Sequence, residues 1–179
     1  NPGATAKALL EKAVTDRPGD PVALGRLASV QEREGKVDQA IASLETALKA
    51  NAHNVNLMLS LARLYGTAKN SAKALEYAKA ARKQSPDDPD VAGSLGRLAY
   101  QNGDYAWSAS LLQEAARKLK ATPDLLYDLA LANYSVGRVG EAETSLRSAL
   151  ELAGRQPALL FSQSAAAKGM LSLLELAKN

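Results

Sequence analysis

Cysteine is absent from this chain, which excludes disulfides and thiolate metal sites and fits a reducing or an oxidising compartment equally. Histidine is nearly absent. His53 stands alone, and with no second histidine and no cysteine it builds neither a metal site nor a ready Ser–His–Asp arrangement. Aromatic residues amount to 4% against 46% hydrophobic residues in all, so alanine and leucine carry the apolar content. That composition suits helices packed closely over small side chains. No apolar run approaches the ~20 residues that span a bilayer, and Asn1-Pro2-Gly3-Ala4 does not resemble a secretory signal. There is no Walker phosphate loop. The net charge of +3 speaks only weakly for an anionic partner.

What the chain does have is a repeat. Leu27-Ala28, Gly35, Ala40, Leu44 and Ala47 set the pattern. A shift of 34 residues finds Leu61-Ala62, Ala74, Ala78 and Ala81. The next shift finds Leu95-Gly96, Gly103, Ser108, Leu112 and Ala115, and the next Leu129-Ala130, Gly137, Ala142, Leu146 and Ala149. Nothing is inserted or deleted between copies, and the column ending at Ala149 is alanine throughout. A fixed period of this length means stacked supersecondary units, each too small to bury its apolar face alone.

Four complete units follow from the phase: 21–54, 55–88, 89–122 and 123–156. Each reads as two helices. Asp20-Pro21, Asp88-Pro89 and Thr122-Pro123 place a capping side chain directly before a proline suited to the first helical position. Gln156-Pro157 repeats the proline, and Asn54 serves as a cap without one. Gly35, Gly103 and Gly137 fit the left-handed position that ends the first helix. The second unit has Gly66-Thr67-Ala68-Lys69-Asn70 there, and Asn70 is expected to take the positive φ. The second helix of the first unit runs from about Val37 to Ala50. Residues 4–16 repeat its Ala/Leu columns and read as the second helix of a partial repeat, so the chain is expected to be excised from a longer array. After Pro157 the pattern degrades. Residues 157–178 read as a C-terminal helix or a degenerate fifth repeat hinged at Gly169, apolar enough to offer a surface for self-association.

The 34-residue helix–turn–helix unit, with its Leu27-Ala28, Gly35, Ala40, Leu44 and Ala47 columns and a turn at Pro86, resembles the tetratricopeptide repeat (TPR). The resemblance covers residues 4 to 156 in phase. It implies an all-α fold: an α-solenoid, a right-handed superhelix of antiparallel helix pairs whose first helices line a concave groove. That groove implies a protein or peptide partner, no cofactor and no catalysis. Family members often carry aromatics in the columns that here hold Leu24, Met58, Ala92, Leu126 and Gln31, Tyr65, Ala99, Asn133. The array is therefore expected to be under-filled, and more flexible around Ala92 and Ala99. Some members grip acidic chaperone tails through Lys, Asn and Arg at set places. Gly25, Ser29, Ser60, Asp90 and Ser94 stand there instead, which rules out that route.

Groove-facing candidates are Arg26, Asn56, Arg63, Arg97, Tyr100, Tyr127, Asp128 and Tyr134. Arg63 and Arg97 lie 34 apart, in register to fork onto carboxylates or carbonyls of a partner, and Tyr100 and Tyr134 share another column. The bland alternative is a solvated face with tyrosines filling between helices. Trp107, the single tryptophan, sits in a polar column with Gln39, Lys73 and Glu141; it is either a surface contact patch or buried by a local rotation. Lys79, Arg82, Lys83, Arg117, Lys118 and Lys120 lack an aromatic stacking platform, so they read as a solvated face and nucleic acid is set aside as a partner. Asp87, Asp88 and Asp90 are explained by turn and cap chemistry rather than calcium. The function expected is an interaction scaffold that holds a partner segment in its groove. The alternative is the recruiting arm of a larger enzyme such as a glycosyltransferase.

Overall fold

The computed structural model describes residues 2–157 and 161–177, with side chains from residue 5 onward, so part of the 157–178 tail lies outside the described residues. These residues form ten α-helices and no strand. They fall into two compact units, Asn1–Pro86 and Asp87–Asn179.

The first unit holds α1 (Pro2–Asp16), α2 (Pro21–Arg33), α3 (Val37–Ala50), α4 (Val55–Thr67) and α5 (Ser71–Gln84). Asp20 starts α2 by accepting the backbone N–H groups of Val22 and Ala23, with Pro21 at the position where no N–H is needed. Asn54 starts α4 by accepting from Leu57. The pairs α2/α3 and α4/α5 close on small residues. Ala40, Ala47, Ala74, Ala78 and Ala81 are wholly buried, with Leu27, Leu44 and Leu61 filling between them. The turn between α4 and α5 departs from expectation. Lys69 takes the positive φ of 58°, while Asn70 keeps an ordinary negative φ and caps α5 through Lys73 N–H. Lys69 stands in the Gly35 column, so the backbone of the turn is kept even where its glycine is not.

The second unit holds α6 (Pro89–Gln101), α7 (Tyr105–Lys118), α8 (Pro123–Ser135), α9 (Val139–Arg155) and α10 (Ser164–Leu176). Asp88 and Thr122 cap α6 and α8 as expected. Its core repeats the pattern with Leu95, Leu112, Ala115, Ala130, Leu146 and Ala149. The two columns short of aromatics hold Ala92 and Ala99 in this helix. Both are buried, because α6 approaches α7 closely over Gly93 and Gly96. A Cβ added at Gly96 would lie 2.8 Å from Leu112 Cγ. Small residues thus close the space that aromatics would otherwise fill. At the C-terminal side, α10 runs unbroken through Gly169. Ala167 and Leu174 of α10 join Ala130, Ala142 and Leu146 in one apolar cluster.

Candidate functional site

In the first unit the candidate face is built from α2 and α4. Arg63 points back to Glu32, and its two terminal nitrogens engage both carboxylate oxygens, one of them at 2.8 Å. The arginine's hydrogen bonds hold the Glu32 carboxyl below its ordinary pKa, and Glu32 in turn raises that of Arg63. A bidentate pair of this kind fixes the guanidinium plane. Arg26 is exposed and, with Ala6, Leu9, Leu10, Ser29, Val30 and Arg33, lines an open hollow of about 440 Å³ between α1 and α2. Asn56 is exposed, and its backbone carbonyl accepts the Ser60 hydroxyl at 2.8 Å.

In the second unit Arg97 reaches forward instead, donating to Asp128 Oδ2 at 3.3 Å. Burial pushes the Asp128 carboxyl above its ordinary pKa; Arg97 opposes this and Asp124 adds to it. Tyr100 leans on the Tyr105 ring at 5.1 Å and accepts a long hydrogen bond of 3.4 Å from Ser135. Arg97, Tyr100 and Asp128 come together with Gln101, Leu112 and Leu131 around a pocket of about 270 Å³. Tyr134 is half exposed on the same helix as Asp128. Tyr127 meets Phe161 edge to face at 6.0 Å and packs on the cluster that α10 covers. Trp107 is half-buried at the start of α7, where its backbone N–H donates to the capping Asp104 carboxylate.

The expected register of Arg63 with Arg97 therefore has a different local meaning. Each belongs to its own unit and is held by a carboxylate of a neighbouring first helix, one behind and one ahead.

One cluster went unread in the sequence. Tyr65 and Tyr77 stack at 5.7 Å and 9° across α4 and α5. The Tyr65 hydroxyl donates to Glu45 of α3 at 2.6 Å and accepts from Lys73 at 3.0 Å, while Tyr77 donates to Glu45 at 3.4 Å. Burial raises both phenol pKa values. The signal was present as a twelve-residue offset between first and second helix: the Gln31–Ser43 hydrogen bond of 2.9 Å is its counterpart one repeat earlier.

Among the described residues there is no group of three or more His, Cys, Asp or Glu able to hold a metal ion, and no helix long and apolar enough to cross a membrane. Two family models, both for the tetratricopeptide repeat, match residues 31–98 and 94–157. The chain belongs to the tetratricopeptide repeat family. Solved TPR structures agree in fold. A thermophilic TPR protein of Thermus thermophilus superposes with a TM-score of 0.70 at 23% identity, covering 97% of this chain and 91% of that one. YrrB, a TPR protein with an unusual peptide-binding site, gives 0.75 at 14%, covering 94% and 83%. In sequence the chain is 26% identical over 149 residues to cellulose synthase operon protein C of Pseudomonas fluorescens. That match takes in 79% of this chain but only 12% of that protein's length.

Proposed function

We propose that this TPR chain is a non-catalytic interaction module that holds a peptide or partner segment against the exposed face of its first helices. One observation carries the reading: Arg97, Tyr100 and Asp128 surround a single pocket of about 270 Å³, and Tyr134 of the same helix as Asp128 is half exposed. It offers a flat ring, a guanidinium and a carboxylate within one side chain's reach, which suits main-chain carbonyls and amides of an extended segment. In the first unit Arg26, Asn56 and Arg63 supply the corresponding polar face. Since Arg63 and Arg97 are already paired, a partner exchanges one carboxylate contact for another and gains specificity more than affinity. Affinity capture from the native cell with the wild-type chain and the Arg63→Glu/Arg97→Glu variant tests this. Partner yield is expected to fall at least tenfold while the helical spectrum is kept; equal capture by a folded variant removes the arginines from the site.

A second reading keeps the same face but makes the chain the recruiting arm of a larger enzyme such as a glycosyltransferase. It is favoured by the similarity to a small part of a much longer protein of a cellulose synthase operon. A catalytic domain beside these repeats in the full coding sequence supports it, and a coding sequence without one sets it aside.

A further inference from the structure

The Tyr65–Tyr77 stack has an equivalent place two repeats on, and that place is open. Moving 68 residues along the chain carries Glu45, Tyr65, Lys73 and Tyr77 to Gln113, Asn133, Glu141 and Ser145. All four line one hollow of about 450 Å³ between α7 and α9, floored by Leu126 and Leu129 of α8. The walls shrink as well, since Leu48 becomes Ala116 and Ala72 becomes Gly140. Where the first unit fills this space with two phenol rings of its own, the second has an amide and a hydroxymethyl group.

Asn133 makes the hollow more than a loose joint. It is 2% exposed, it lines the hollow, and its side-chain amide makes no hydrogen bond to any described residue. A buried amide is normally paired, so this one is free to pair with whatever enters. The rim is rich in acceptors. The Ser145 and Thr144 hydroxyls spend their protons on the Glu141 and Gly140 carbonyls, both at 2.9 Å, leaving lone pairs outward. Glu141 is the only charged side chain of the lining.

We propose that this hollow is a binding pocket for the tyrosine side chain of a partner polypeptide. A flat ring fits the leucine floor between small walls, and its volume lies in the range of ligand pockets, ~300–1,000 Å³. The phenol O–H brings the donor the rim calls for, as Tyr65 O–H already does toward Glu45 in the first unit. A phosphorylated ring is repelled by Glu141. The proposal rests on the interaction-module reading only in taking the partner to be a polypeptide. The hollow shares no residue with the Arg97–Asp128 pocket.

Amide-resolved NMR of the full chain tests it, with N-acetyltyrosinamide, N-acetylphenylalaninamide and phosphorylated N-acetyltyrosinamide as probes. The tyrosine probe is expected to give saturable shifts around Gln113, Asn133 and Glu141, with an affinity on the order of 1 mM for so small a ligand. The other two probes are expected to bind at least tenfold more weakly. Asn133→Tyr/Ser145→Tyr, which copies the first unit's stack, is expected to abolish the shifts and melt no lower than the parent. Should that variant fail to fold, Ala116→Leu narrows the hollow alone and is expected to weaken the probe. No saturable shift, equal response to tyrosine and phenylalanine probes, or undiminished binding in a folded plugged variant overturns the proposal. The Arg63→Glu/Arg97→Glu variant keeps the probe site, so its loss of partner capture and a loss of probe binding are read separately.

Discussion

A buried hydroxyl without a partner is costly, and Ser108 carries one. It is wholly buried in α7, its Oγ finds no hydrogen-bond partner, and its column is otherwise Ala40, Ala74 and Ala142. Ser108→Ala is expected to stabilise the chain by about 1 kcal/mol, since only the unpaired group is lost and alanine is the better helix former. A urea midpoint below the parent's would contradict this. Lys69 is a second local debt, an L-residue at φ 58°. That conformation costs roughly 1–2 kcal/mol; Lys69→Gly removes the Cβ responsible and regains only part of it, because glycine loses more backbone freedom on folding. A modest gain in melting temperature is the expected result, and none at all would mean the turn is not strained. Asp128 shows the electrostatic counterpart. Its folded pKa is raised, so the folded chain binds the proton more tightly than the unfolded chain. The cost of its charge is absent below the ordinary aspartate pKa and grows as pH rises through the folded value. Arg97 opposes that cost, so Arg97→Ala should move the Asp128 midpoint higher still. Carbon NMR of the carboxyl group reads it directly, and an unmoved midpoint would show that the 3.3 Å contact is not formed in solution.

At the scale of the element, the pair α6/α7 shows how a helix contact is tuned. Ala28, Ala62 and Ala130 occupy the column where α6 has Gly96, and only there would a Cβ sit 2.8 Å from Leu112 Cγ and 3.2 Å from Leu111 Cβ. Alanine gains about 0.8–1 kcal/mol over glycine inside a helix, but overpacking costs typically 1–3 kcal/mol. The steric effect wins because the contacted atoms lie near the α7 backbone rather than at the tip of a flexible chain. Gly96→Ala is therefore expected to destabilise by about 1 kcal/mol in chemical unfolding, and a gain in stability would show that α7 can retreat freely. The same pair shows how Ala92 and Ala99 are buried without aromatics. A reading by columns registers the lost volume of Ala92 and Ala99 but not the closer approach that glycine permits one turn away. The positive φ falls on Lys69 rather than Asn70 for a related reason: asparagine tolerates it best among residues other than glycine, yet the place in the turn decides, not the residue type.

For the whole molecule, the family and the all-α fold were legible because packing between helices is written in small residues at a fixed period, and that period survives every substitution between the columns. The site was less legible. Candidate residues were sorted by column, which tells which face a side chain occupies but not which neighbour already holds it. Arg63 and Arg97 share a column and turn opposite ways, because Glu32 lies behind one and Asp128 ahead of the other. Tyr127, read as a groove candidate, meets Phe161 edge to face. Pairs of columns, such as 65 with 77 and 133 with 145, hold the information that single columns lack. The proposed self-association through the tail belongs at this scale too. In α10, Leu174 and Ala167 are spent on the cluster with Leu146, while Leu173 and Leu176 remain 67% and 69% exposed. Three residues apart, those two leucines share one helical face, and covering them removes apolar area from water at about 25 cal/mol per Å². Two side chains are a small patch, so any dimer they drive is weak and concentration-dependent. Light scattering of the parent is expected to show mass rising with concentration, and Leu173→Glu/Leu176→Glu is expected to hold the monomer mass throughout. Since both leucines point away from the core cluster, the variant should melt with the parent. A parent that stays monomeric at the highest concentration reached removes self-association from the functions of this chain.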